Sequence, residues 1–160
     1  MSMPFYRHGS LVAGVALFVS FASARSQLKL IPIPREVHAT ADQRLPHGVR
    51  IVCAAPCSAE DQFAADDLAA TLQARGIPAA AATGFQIELA RLSAHPEAKF
   101  SDEMTAEGYV ISTTSSSLRV VGATAEGLFY GAQTVKQLIE GDGDRAVLHG
   151  ANIRDWPAMK

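Results

Sequence analysis

The chain has 160 residues, 48% of them hydrophobic, and 14 Lys and Arg against 16 Asp and Glu, a formal charge of −2. That length supports one ordinary domain with a real core and is too short for two. The near-neutral balance, without a basic cluster, argues against a nucleic-acid partner, and no low-complexity tract suggests disorder.

The first two dozen residues read as a leader rather than fold. Arg7 and His8 precede an apolar run, Leu11 to Ala22, too short to cross roughly 30 Å of hydrocarbon as a helix. Ala22-Ser-Ala24 supplies the small-x-small pattern of a signal-peptidase site. Residues 1–24 are therefore expected to be a signal peptide cleaved after Ala24. The expected location is exported, periplasmic or extracellular, with no membrane association after cleavage. Residues 25–152 are then the folded unit, and 153–160 open a linker.

Leu28 to Pro34 alternates and contains Pro32 and Pro34, which predicts an extended edge strand. Glu36 to Thr40 and Arg44-Leu45 predict a small hairpin around Ala41-Asp-Gln43, and Val49 to Cys53 a strand. Cys53 and Cys57 are the only cysteines; in an oxidising compartment they could pair locally, or stay as two thiols at a strand end. Ser58 opens a helix, with Asp61 in the capping-box position and Ala64, Ala65, Leu68, Ala69 and Leu72 as a narrow apolar stripe flanked by Phe63. Gly76 and Pro78 end it.

Phe85 to Leu89 reads as a strand and 91–107 as a polar surface loop. Tyr109 to Thr113 and Leu118 to Val121 form a hairpin turning at Ser115 to Ser117. Thr124 caps a second helix that presents Leu128, Ala132, Val135, Leu138 and Ile139 on one face and closes at Gly141. Asp142 to Arg145 is a turn, Arg145 to Leu148 a short strand, and Ile153 to Pro157 extended. The sum is an α+β fold: a mixed, mostly antiparallel sheet of five to seven strands with two helices packed on one face.

No assembled active site emerges. His8, His38, His47, His95 and His149 are scattered singly, without a His-Glu-x-x-His pattern. Asp66-Asp67 lies on one helix with its side chains about 100° apart, a solvated face. Asp102, Glu103 and Glu107 could supply an acid and a base, but nothing fixes their separation. Asp142 and Asp144 lack the rest of a calcium loop. Gly127 and Gly131 share a helix face and fit close packing better than a phosphate loop. Catalytic, cofactor-binding and metal-binding residues are accordingly all assigned as none.

Several segments nevertheless resemble one family. Leu30-Ile-Pro-Ile-Pro-Arg-Glu-Val37, Asp61-Gln-Phe-Ala-Ala65, Glu107-Gly-Tyr-Val-Ile111, Ala123 to Thr134 with Gln137-Leu138, and Ile153-Arg-Asp-Trp-Pro157 stand in the order found in the N-terminal domain of family 20 glycoside hydrolases, the β-N-acetylhexosaminidases. Family 84 enzymes carry a similar domain. The resemblance implies a zincin-like but metal-free α+β domain placed before a (β/α)₈ barrel. In that family the barrel holds the catalytic carboxylates, which assist attack by the substrate's own acetamido group. It further implies that a catalytic barrel absent after Lys160 is the partner. Trp156 and Met159, with little chain left to cover them, fit such a missing continuation or a docked tail. The competing reading is a stand-alone exported domain that binds glycans containing N-acetylglucosamine. An exposed apolar patch would favour the first, a concave pocket of aromatic and polar groups the second.

Overall fold

The computed structural model describes residues 28–156. The leader assigned to residues 1–24 and Met159 lie outside the described residues. In chain order the elements are β1 (Glu36–Ala39), β2 (Gln43–Arg44), β3 (Val49–Cys53), α1 (Ala59–Ala74), β4 (Phe85–Arg91), β5 (Tyr109–Thr113), β6 (Ser117–Gly122), α2 (Ala125–Leu138), β7 (Ile139–Glu140), β8 (Val147–Leu148) and β9 (Ala151–Asp155). Six strands form one sheet in the order β1-β9-β5-β6-β4-β3, and β2-β8-β7 form a second, smaller one. The β3–β4 and β4–β6 pairs are parallel and the other pairs antiparallel, so the α+β, mixed and mostly antiparallel reading holds.

The strand registers explain why the helices share one face. Cys53, Leu89, Val120, Ile111, Ile153 and Val37 stand opposite one another in succession, an apolar row that crosses all six strands. The neighbouring row on the opposite face is polar and runs through Glu88, Arg119 and Ser112. Side chains alternate across a strand; the opposite face also buries Ala90 and Val121, but it is the first row that the hydrophobic effect covers with the helices. Both helices pack there, with Ala64, Ala65, Leu68 and Leu72 of α1 and Leu128, Ala132, Val135 and Leu138 of α2 buried in a single core.

The caps are those the sequence specifies. Ser58 Oγ accepts the Asp61 N–H, and the Asp61 carboxylate accepts the Ser58 N–H. Thr124 Oγ1 accepts the Gly127 N–H. Gly127 and Gly131 are packing glycines. A Cβ on Gly131 would lie 2.3 Å from Val120 Cγ1, and one on Gly127 would lie 2.4 Å from the Gly108 carbonyl oxygen.

Five expectations are corrected. Leu28 to Pro34 is not a strand, because no neighbour pairs with it; Gln137 instead both donates to and accepts from the Ile31 backbone. The expected hairpin of 36–40 with 44–45 does not form: β1 pairs with β9 and β2 with β8. Helix α2 ends at Leu138, and Ile139-Glu140 turns into β7 to pair with β8, where a β-branched residue fits. The segment 91–107 is more than a surface loop, since it contains a 3₁₀ turn at Asp102–Met104 whose Met104 is fully buried. The boundary placed at residue 152 falls inside β9, whose Ile153 is core, so the folded unit reaches Asp155. Cys53 and Cys57 form a disulfide with Cα atoms 5.9 Å apart, which resolves the open alternative.

Candidate docking face

The two broad faces of the domain differ in how well they satisfy themselves. On the open side of the sheet, charged and polar residues pair across strands in direct register. Arg50 bonds to Gln86, Arg119 Nε donates to Glu88 Oε2 at 2.6 Å, and Arg154 Nη1 contacts both oxygens of Glu36 at 3.0 Å. Burial pushes the Glu88 carboxyl up, but the hydrogen bond and charge of Arg119, with a further contribution from His95, outweigh it and hold the group below the usual carboxylate range.

The helix side is different. Phe63 of α1 is 62% exposed and stacks on Phe129 of α2 with ring centroids 6.1 Å apart; Phe129 meets Tyr130 edge-on at 6.2 Å. Tyr130 is 45% exposed, and beyond it Ile31 and Ile33 are 81% and 84% exposed. Asp67 locks the helices together beside this patch by accepting from Gln133 Nε2 at 2.7 Å and Lys136 Nζ at 2.5 Å. The Lys136 hydrogen bond is the main reason its carboxyl sits below the usual range. Asp66-Asp67 is therefore not simply a solvated face: Asp66 receives Gln62 on its own helix, whereas Asp67 bridges the two.

Between Ile31–Ile33, α2 and the end of β9 lies an open groove of about 400 Å³. Tyr109, Tyr130, Gln133, Asp155 and Trp156 line it. The buried Tyr109 hydroxyl donates to Asp155 Oδ2 at 3.1 Å and lies 2.7 Å from Thr134 Oγ1. Burial raises the phenol well above its ordinary range, opposed by the Thr134 bond and reinforced by the Asp155 charge, so the phenol stays a donor and is no base. Trp156 is not the bare apolar end expected. It is half-buried, with the Arg35 guanidinium 4.9 Å and the Arg154 guanidinium 6.0 Å from its ring.

The residues weighed for chemistry are not brought together. Of the three loop carboxylates, Glu107 borders the groove, while Asp102 and Glu103 are exposed in the 3₁₀ turn. His38 and His47 are exposed on β1 and a turn. His95 lies 2.9 Å from Glu97 and 3.5 Å from Glu88, and Asp142 pairs with Arg75 at 3.2 Å. His8 lies outside the described residues. Among the described residues, no group of three or more His, Cys, Asp and Glu could hold a metal ion, and no helix is long and apolar enough to cross a membrane. Sequence reasoning missed the Phe63–Phe129–Tyr130 patch as a unit, although Phe63 was visible beside its stripe.

Comparison with known proteins bears on what this face is for. A β-N-acetylglucosaminidase of glycoside hydrolase family 20 is similar at 32% identity and a TM-score of 0.52, covering 78% of this chain and 21% of that one. The family 20 β-N-acetylhexosaminidase of Streptomyces coelicolor A3(2) is 25% identical with a TM-score of 0.59, over 78% of this chain and 26% of that one. CpGH84B superposes with a TM-score of 0.62 at 19% identity, over 84% of this chain and 23% of that one, which shows a shared fold alone. The chain thus spans about a quarter or less of these structures. No curated protein matches it. The model of glycosyl hydrolase family 20, domain 2, matches residues 27–156, which takes in the whole described fold, and the chain belongs to that family.

Proposed function

We propose that this chain is the non-catalytic N-terminal domain of an exported β-N-acetylhexosaminidase-like glycoside hydrolase, and that its helix face docks a (β/α)₈ catalytic barrel. The enzyme would act on terminal N-acetylglucosamine or N-acetylgalactosamine, and its catalytic groups would lie in the barrel. The observation that carries this reading is the contrast between the faces. Stacked aromatics and isoleucines stand exposed on the helix side, while the open sheet side is closed by in-register polar pairs. Exposed contiguous apolar surface of this kind marks an interaction site. Membership of the family 20 domain and the small share of each relative that the chain spans support a larger protein around it. The Cys53–Cys57 disulfide supports an oxidising compartment and hence export to the periplasm or beyond, with residues 1–24 as the signal.

The groove favours a second reading, a stand-alone glycan-binding domain. Its aromatic rings could stack on a sugar. Most of its polar groups, however, are already spent inside the domain: Tyr109 on Asp155 and Thr134, Gln133 on Asp67, Gln137 on Ile31. Few groups remain to read an acetamido group, so docking is the stronger reading. Two measurements on the purified chain test it: turnover of a chromogenic N-acetylglucosaminide and calorimetric titration with N-acetylglucosamine. Docking predicts neither turnover nor binding. Robust hydrolysis would refute it, and saturable sugar binding lost in Trp156→Ala would transfer the case to the second reading.

A further inference from the structure

His149 stands between β8 and β9 at the corner where the small sheet meets the end of α2. Its ring nitrogens face two carboxylates: Nδ1 lies 3.2 Å from Asp42 Oδ2 and Nε2 lies 2.9 Å from Glu140 Oε2. Its backbone N–H donates at 2.8 Å to the carbonyl of Leu138, the last residue of α2. One residue thereby joins the turn before β2, the strand β7 and the helix terminus. A neutral imidazole has one N–H and one lone pair, so it can donate to only one of these carboxylates. The other contact would then set a lone pair against an anion. Only the imidazolium satisfies both.

We infer that His149 is a proton-dependent clamp, which ties the turn before β2 to strand β7 through Asp42 and Glu140 when its ring is charged and releases one of these carboxylates when it is not, its backbone bond to Leu138 staying in place in both states. Asp42 and Glu140 are the acidic groups that face the ring. Across the adjoining hollow stand Lys29, Arg75 of the α1 terminus and Lys136 of α2. Arg75 is engaged by Asp142 and Lys136 by Asp67, which blunts their opposition to a second cation. Burial pulls the imidazole down, but the hydrogen bonds to Glu140 and then Asp42 outweigh it and hold the ring above its ordinary value. A group raised in the folded state stabilises fully below its unfolded pKa, and that contribution is lost as pH rises through the folded pKa. The clamp is therefore closed in mild acid and opens as the medium becomes neutral to alkaline.

An NMR titration of the His149 ring in the intact chain, with thermal unfolding from pH 5 to pH 8, tests this. The ring should titrate above the ordinary value of ~6.5 and fall toward it in Asp42→Asn. Between pH 5 and pH 8 the wild type should lose at least ~3 °C more in Tm than His149→Gln. A ring that titrates at or below ~6.5, or wild-type and variant curves that run parallel, would overturn the proposal. Should His149→Gln fail to fold, Asp42→Asn, at an exposed position, carries the same comparison.

Discussion

At the scale of single residues, Asp61 does more than its sequence position announces. It closes the capping box with Ser58, as the spacing predicts, and it also receives Arg91 Nε at 2.7 Å while almost wholly buried. The second role was invisible because Arg91 lies 30 residues away, at the end of a parallel strand, and no local pattern links them. Asp61→Ala should therefore cost at least ~2 kcal/mol, a lost cap plus a guanidinium left without its carboxylate. Asp66→Ala, on the exposed side of the same helix, should stay within about 0.5 kcal/mol. Urea unfolding of the two variants measures the difference, and equal losses would contradict the pairing. Gly131→Ala makes the opposite kind of point. Alanine gains up to ~1 kcal/mol of helix propensity, yet the new methyl meets Val120 Cγ1 at 2.3 Å. A net loss of ~1–3 kcal/mol is expected by the same measurement, since the sheet behind it is packed.

At the scale of elements, the helices were legible because each carries its own cap, stripe and stop. Leu138 is fully buried at the foot of α2, and Leu138→Ala should cost about 2–5 kcal/mol in equilibrium unfolding. A loss well below 1 kcal/mol would mean that the face is wrongly assigned. What escaped the sequence are the places where a partner outside the segment decides. Ile139 continues the helical spacing of Val135 and Leu138, but β8 offers it a ladder, and the tertiary pairing prevails over the period. Leu28 to Pro34 has the alternation of a strand without a neighbour, and becomes an irregular segment that exposes Ile31 and Ile33. The β1–β9 pair joins residues more than a hundred positions apart, beyond any periodicity argument.

At the scale of the whole molecule, the proposed docking face is assembled from residues that no single element contains. Phe63 and Phe129 belong to different helices, and their stacking follows from both helices covering the same apolar row of the sheet. Periodicity identified the inward stripe of each helix but had no means of placing the outward aromatics side by side. The domain that results has one face satisfied by Arg–carboxylate pairs and one left apolar. That asymmetry is the core of the functional reading. It is tested most directly by placing a photo-crosslinking residue at Phe63 or Tyr130, and separately at Arg50 or Arg119, in this domain combined with a family 20 catalytic barrel. Crosslinks to the barrel from Phe63 and Tyr130, and none from Arg50 and Arg119, are the predicted result. Capture from the sheet positions alone would contradict it.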